Sequence, residues 1–328
     1  MASQIPGIHH VTAICGDPQR NLDFYSGVLG LRFVKRTVNF DDPASYHLYY
    51  GDAVGSPGTI MTFFAWPGAP RGRRGAGQLT VTAFAVPERS LAFWGERLGG
   101  HGVAVEGPLR RGDEEYLALE DPDGLRLELV GWATASGGRV WADGPVPPEH
   151  AIRGFFGVSL CERDEGPSAQ LLAGTLGFAL DARDGDRFRY RGREGEMGSV
   201  VDLLHRPEAT PGTVAVGTVH HVAWRARDDE EQRRWRSRLV DQGLQVTPII
   251  DRRYFRSIYF QEPGGVLFEI ATEPPGFTVD EPEPELGSRL QLPPWLEPSR
   301  ARIEAGLPPI EVRRPQPEGV RGRPGKRS

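Results

Sequence analysis

Residues Ile258–Thr272 read IYFQEPGGVLFEIAT, and residues Tyr116–Gly131 read YLALEDPDGLRLELVG. Each is a strand, an acid-Pro-x-Gly turn and a second strand, the signature of a hairpin closing a small sheet. Weaker versions occur in PGTIMTFFAW, from Pro57, and EMGSVVDLLH, from Glu196. An opening strand precedes each closing strand by roughly 50 residues, a spacing typical of repeated units. The openers are Ile8–Ile14, Leu79–Val86, Phe155–Cys161 and Val219–Ala226. A helical stretch follows each of them. In the first, Leu22, Tyr25 and Leu29 recur at helical spacing behind an Asp17-Pro18 start. The others are PERSLAFWGERLGG, PSAQLLAGTLGF and DDEEQRRWRSRLVDQG. Gly30, Gly99, Gly177 and Gly243 fall where a helix end needs a left-handed residue.

The pattern predicts an α+β fold of four βαβββ modules in two tandem domains, each pair of modules forming an incomplete barrel around a cup. Residues 1–142 hold modules one and two, and residues 151–280 hold modules three and four. The Pro-rich stretch DGPVPPEHA, Asp143–Ala151, links them. Residues 281–328 are rich in Pro, Arg and Gly with little periodicity. Such a segment buries little apolar surface against its ordering entropy, so it reads as a flexible tail. Leu292–Leu296 could pack back on the body, or the tail could cross to a neighbouring subunit of a homo-oligomer.

Composition narrows the function. A net charge of −5 with arginines and acids well mixed gives no reason for a nucleic-acid partner. The cluster Arg71, Arg73 and Arg74 lies in a Gly/Pro-rich loop and reads as solvated. No apolar run approaches the roughly 20 residues of a membrane span. MASQIPGIHH has neither the basic start nor the apolar run of a signal peptide. The two cysteines, Cys15 and Cys161, each end a buried strand, which fits a reduced, cytoplasmic setting.

Chemistry concentrates in two histidine pairs and one acid. His9-His10 open the first module in GIHHVTAI, and His220-His221 open the fourth in TVHHVAWR. In GVLFEIAT, alternation puts Phe268 and Ile270 on one face and Leu267, Glu269 and Ala271 on the other. Glu269 therefore looks into the cup, where a carboxylate is costly unless paired or coordinating. Alternation does not choose between the members of each histidine pair. Two imidazoles and a carboxylate make a facial triad that leaves positions on Fe(II) or Mn(II) for other ligands. The counterpart of Glu269 is about Thr62 or Phe63 in module one and about Asp202 or Leu203 in module three. Module two has Glu128 but no histidine in its opener, so Glu128 reads as a surface or hydrogen-bonded acid. One metal site follows, in a cup built by the first and last modules.

These residues resemble the vicinal oxygen chelate superfamily, and within it the ring-cleaving dioxygenases that act on hydroquinones. The resemblance covers about residues 5–280 and rests on IHHVT, RFVKRTVNFDDPASYHLYYGD, GSPGTIMTFF, VDLLHRPE, VHHVAW and PGGVLFEIAT. It implies His10, His221 and Glu269 as metal ligands. It also implies catalytic or supporting roles for His9, Thr12, His220, Tyr259 and Arg252, with Arg253 and Arg256 close by as rivals to the last. His220 is the expected acid/base, as an imidazole titrating near neutral pH. Tyr46, His47 and Tyr49 are pocket candidates that could equally be packing residues. The implied reaction is extradiol-type cleavage of a small aromatic substrate by O2 at Fe(II), with Mn(II) the other metal. The rival readings are a glyoxalase-like isomerase or lyase, a non-catalytic aromatic or drug-binding protein, and a catechol-cleaving enzyme.

Overall fold

The structure, a computed structural model, describes residues 4–133, 138–192, 196 and 198–312. Four modules of strand, helix and three strands follow one another. The first comprises β1 (Ile8–Cys15), α1 (Pro18–Leu22), β2 (Arg32–Val38), β3 (Tyr46–Gly51) and β4 (Ile60–Ala65). The second has β5 (Gln78–Pro87), α2 (Leu91–Gly100), β6 (Val105–Arg111), β7 (Glu114–Glu120) and β8 (Arg126–Trp132). The third has β9 (Gly154–Glu162), α3 (Gly166–Gln170), β10 (Ala179–Asp184), β11 (Arg187–Arg191) and β12 (Val200–His205). The fourth has β13 (Val219–Ala226), α4 (Asp229–Asp241), β14 (Ile250–Asp251), β15 (Arg256–Gln261) and β16 (Leu267–Thr272). Helices α1 and α3 each run on into a π-helical turn, Asp23–Val28 and Leu171–Leu176.

The closing hairpins form for a local reason. In Asp121-Pro122-Asp123-Gly124, Pro fixes the turn and Gly124 takes a φ of 88°, open to glycine at little cost. Asp121 accepts backbone N–H bonds from Asp123 and Leu125, both at 2.8 Å. Glu262 does the same work in the other hairpin, accepting from Val266 N at 2.8 Å and Ser168 Oγ at 2.6 Å. Of the four predicted helix-ending glycines, Gly30, Gly177 and Gly243 have positive φ. Gly99 stays inside α2, and Gly102 makes that turn instead, because the helix runs on through Gly100.

Two eight-stranded sheets result, ordered β14-β15-β16-β13-β1-β4-β3-β2 and β10-β11-β12-β9-β5-β8-β7-β6. The first joins module one to module four, and the second joins module two to module three. The modules pair across the division at 1–142 and 151–280, each sheet taking one module from each half, and the first and last modules share a cup as the sequence leads one to expect. The seams are antiparallel pairings of openers, β1 with β13 and β5 with β9. Bridges such as Arg73 with Thr213 and Ala76 with Pro211 tie the two inter-module loops together. One face of each sheet packs on helices. Phe268 and Ile270 are buried in the same core as Trp235 and Leu239 of α4. The opposite face of the first sheet carries a smaller cluster of Tyr49, Ala223, Tyr254, Phe255 and Ala271.

Residues 281–312 are not a flexible tail: Leu292 and Leu296 pack back on the body, as considered above, and so do their neighbours; residues 313–328 lie outside the described residues. Leu286, Leu290, Leu292, Ile303 and Leu307 are buried, and α5 (Arg300–Gly306) contributes the fourth of these. Prolines hid this spacing, because each leucine reaches the body from a turn and not from a periodic element. The fully buried Lys35 ammonium binds the Asp280 carboxylate at 2.6 Å and also Glu281. Phe277 and Leu286 then join the small cluster on the cup face of the first sheet.

Replacing Lys35 with Met would leave the buried Glu281 without a counter-charge and Asp280 with Arg253 alone, a loss of roughly 3–5 kcal/mol. Calorimetry should show a lower Tm, and limited proteolysis should cut first near Asp280; an unchanged Tm would remove the ion pair from the account. A second expectation concerns Glu162, which is buried with an unpartnered Oε1. Burial, and then the Glu262 charge, push its carboxyl up to about 8. The folded chain thus holds a proton that the unfolded chain releases near the ordinary carboxylate value, so stability falls as pH rises through this window up to about 8. Glu162→Gln is expected to flatten that fall in urea titrations run at several pH values.

Candidate metal centre

Three strands at the middle of the first sheet supply the centre. His10 lies on β1, His221 on the adjacent β13, and Glu269 on β16, which runs parallel to β13. Their side chains leave the same face and meet. His10 Nε2 is 3.3 Å from His221 Nε2 and 3.3 Å from Glu269 Oε2, while His221 Nε2 is 2.9 Å from that oxygen. All three residues are buried. Despite these short approaches, Glu269 Oε2 has no aligned hydrogen-bond donor. Donors at right angles about an ion with bonds of about 2.1 Å stand about 3 Å apart. The donor set and its spacing therefore fit a divalent metal. Among the described residues, no other three His, Cys, Asp or Glu side chains converge in this way.

The first histidine of each pair orients the second. His9 Nδ1 is 3.0 Å from His10 Nδ1, and His220 Nδ1 is 2.8 Å from His221 Nδ1. With a metal bound, each ligand Nε2 would carry a lone pair, which would put the proton on Nδ1 and make the preceding histidine the acceptor. His220 would then keep its own proton on Nε2, and its ring lines the cavity. Burial first, and His221 second, hold its pKa down to about 3. A buried imidazole beside another imidazole resists charging, which favours the neutral form of His220. Burial likewise holds His9 well below the ordinary imidazole value.

For Glu269, burial would raise the pKa, but the two histidines outweigh it and keep the carboxyl ionised. Ser257 Oγ donates to its other oxygen, Oε1. The sequence reading missed Ser257, although it shares the inward face of β15 with Tyr259. Tyr259 sits directly opposite Glu269 in the β15–β16 pairing. Burial, followed by the Glu269 charge, raises its phenol above the ordinary value, so it stays protonated. Of the three neighbouring arginines, Arg252 faces the cavity. Its Nε donates to Tyr259 Oη at 3.2 Å and its Nη1 to Asp41 at 2.9 Å. Arg253 turns to Asp280, and Arg256 to Asp229. Thr12 is buried 3.3 Å from the Thr62 hydroxyl.

A cavity of about 340 Å³ opens over the centre. Its walls include His10, His221, His220, Tyr259 and Arg252, with Phe64, Phe255 and Phe40 supplying flat apolar surface. His47 and Tyr49 are wall residues, while Tyr46 instead donates to Pro308 O of the tail at 3.0 Å. Phe255 and the loop residues Phe40 and Asp41 carry no periodic signal that could have marked them.

The second cup is a control within the same chain. Strand register makes Thr62, Glu128, Asp202 and Glu269 equivalent, opposite Thr12, Ala83, Ser159 and Ala223. Val81 and Gly157 then stand where His10 and His221 stand. Glu128 is held by Arg111 at 2.7 and 3.0 Å, and Asp202 by Arg189 at 2.8 and 2.9 Å. Guanidinium groups balance the buried carboxylates there, as expected for an acid that is hydrogen-bonded and not coordinating.

Comparison with known proteins agrees with this architecture. The chain is 48% identical over 313 residues to MhqO of Bacillus subtilis (strain 168), a candidate ring-cleaving dioxygenase, covering 95% of this chain and 99% of that one. It is 34% identical over 305 residues to the chlorohydroquinone/hydroquinone 1,2-dioxygenase of Sphingobium indicum, covering 90% and 94%. A crystal structure of a candidate dioxygenase from Bacillus subtilis superposes with a TM-score of 0.91 at 48% identity, covering 95% of this chain and 99% of that chain. The family model Glyoxalase/Bleomycin resistance protein/Dioxygenase superfamily matches residues 7–129 and 158–270, one stretch over each half of the repeat. The repeated modules, the paired half-barrels and these matches agree, and the chain belongs to the Glyoxalase/Bleomycin resistance protein/Dioxygenase superfamily.

Proposed function

We propose that this chain is a metal-dependent ring-cleaving dioxygenase that inserts O2 into a hydroquinone-type aromatic by extradiol-type cleavage. In this reading His10, His221 and Glu269 hold Fe(II), with Mn(II) accepting the same donors. The observation that carries it is the meeting of three ligand atoms, 2.9–3.3 Å apart, two of them on histidines in the wall of an aromatic-lined cavity. Its relatives carrying dioxygenase names, matched over nearly their whole length, support the same conclusion. No described helix is long and apolar enough to cross a membrane.

When bound, such an ion supplies Lewis acidity that favours a phenolate over a phenol, and open positions for substrate and O2. The protein supplies the rest. Phe64, Phe255 and Phe40 give the ring an apolar slot of about the volume small-molecule sites use. His220 Nε2–H and the Tyr259 hydroxyl are donors that favour negative charge as it develops on oxygen. Arg252 keeps the Tyr259 hydroxyl oriented and adds a fixed positive charge at the mouth. His9 fixes the tautomer of His10, and Thr12 fills the floor beside it.

Protein reconstituted anaerobically with Fe(II) should consume one O2 per hydroquinone in an oxygen electrode; no uptake with metal in place would refute the reading. Glu269→Gln is expected to lower retained metal and turnover together, by more than roughly a hundredfold. Tyr259→Phe should retain its metal and lose roughly a hundredfold in kcat, the scale for one oxyanion donor.

A further inference from the structure

The metal cup is built from two modules related by the repeat, and its two walls can be compared position by position. Tyr259 on β15 lies opposite Glu269, and Ser257, two residues earlier, binds that carboxylate. On the other wall, Tyr49 on β3 lies opposite Thr62, the counterpart of Glu269, and His47, two residues earlier, binds Thr62. Tyr49 is thus the repeat's second copy of Tyr259. The other cup has no such pair: Ala118 and Arg189 stand opposite Glu128 and Asp202.

The buried Tyr49 and half-buried His47 form a polar device that the proposed chemistry leaves unused. Tyr49 Oη is 2.8 Å from His47 Nδ1, His47 Nε2 is 2.6 Å from Thr62 Oγ1, and Thr62 Oγ1 is 3.3 Å from Thr12 Oγ1. A neutral imidazole has one donor and one acceptor nitrogen, and a hydroxyl can do either. The chain of bonds can therefore run in both directions. In one, Tyr49 donates to His47 and offers its lone pairs to the cavity. In the other, it accepts from His47 and offers its O–H. Burial pushes the Tyr49 phenol well above its ordinary value, so it stays protonated.

We propose that Tyr49, poised by His47, is the subsite for the second hydroxyl of a para-diol and selects such rings over ortho-diols. This rests on the hydroquinone reading above. One strand, β4, lies between β1 and β3, which puts the two about 10 Å apart at the usual strand spacing. A ring that presents one hydroxyl to His10, His221 and Glu269 turns its para hydroxyl away from them, into the cavity that Tyr49 and His47 line. The second hydroxyl of an ortho-diol stays beside the first and does not reach this wall. Phe64 lies against His47, with ring centroids 4.4 Å apart, and continues the flat surface between the two ends.

Affinities of Fe(II)-loaded protein for hydroquinone, 4-methylphenol and catechol, measured by anaerobic calorimetry, test this. The wild type is expected to favour hydroquinone over 4-methylphenol by about tenfold, the scale of one hydrogen bond. Tyr49→Phe should abolish that preference and leave catechol affinity within about twofold. Because the readout is a ratio within one protein, a general loss of stability does not mimic it. An unchanged ratio in Tyr49→Phe overturns the subsite even if the wild type consumes O2 with hydroquinone. A Tyr49-dependent ratio without O2 uptake instead removes the dioxygenase reading and leaves the subsite standing.

Discussion

A carboxylate with no exposed surface is the constraint on which the rest of this structure depends. Glu269 lies on a central strand of the first sheet, and burial alone would drive it to take up a proton. It remains an anion because two imidazoles crowd one of its oxygens and a serine hydroxyl holds the other. Those imidazoles are fixed in turn by a second histidine each. The three side chains together form a candidate metal site. The sister cup makes the contrast within one chain, since arginine forks there fill the same need and leave no vacancy for an ion.

Cross-pairing of the modules is what brings the ligands together. A sheet made from consecutive modules would keep His10 and His221 apart. Antiparallel pairing of β1 with β13 instead sets the first module beside the last. The same exchange places modules two and three back to back along β5 and β9. Each sheet thus contains one module from each half of the chain, and the centre cannot assemble until both are folded. The cup also inherits the repeat's internal symmetry, which explains why a tyrosine faces the cavity from both walls.

The C-terminal segment completes the cup. Phe277 and Leu286 pack against Tyr49 and Tyr254 on the inner face, and the Lys35 ion pairs fasten them to β2. Trp295 reaches Phe40, the loop residue that lines the cavity, with ring centroids 5.7 Å apart. A segment with the composition of a solvated linker therefore backs the wall, packing behind Tyr49 and Phe40. Low periodicity concealed this, because its leucines are delivered singly from turns between prolines.

Local chemistry made much of this legible in the sequence. The acid-Pro-x-Gly turns, the apolar alternation and the helix starts depend on neighbours in the chain, so they marked all four modules and the inward direction of Glu269. The repeat itself placed a histidine pair in the opening strands of the first and last modules and none in the other two openers. What alternation could not decide was which histidine of each pair meets the carboxylate, since a bulge in β1 between Ile8 and His10 shifts the pleat. Nor could spacing choose Arg252 over Arg253 and Arg256, which differ only in the acids they meet across the fold. Loop residues such as Asp41 and Phe255 belong to the cavity through contacts distant in sequence. The protonation of His220 was beyond reach as well, because burial sets it and only the assembled cup buries it.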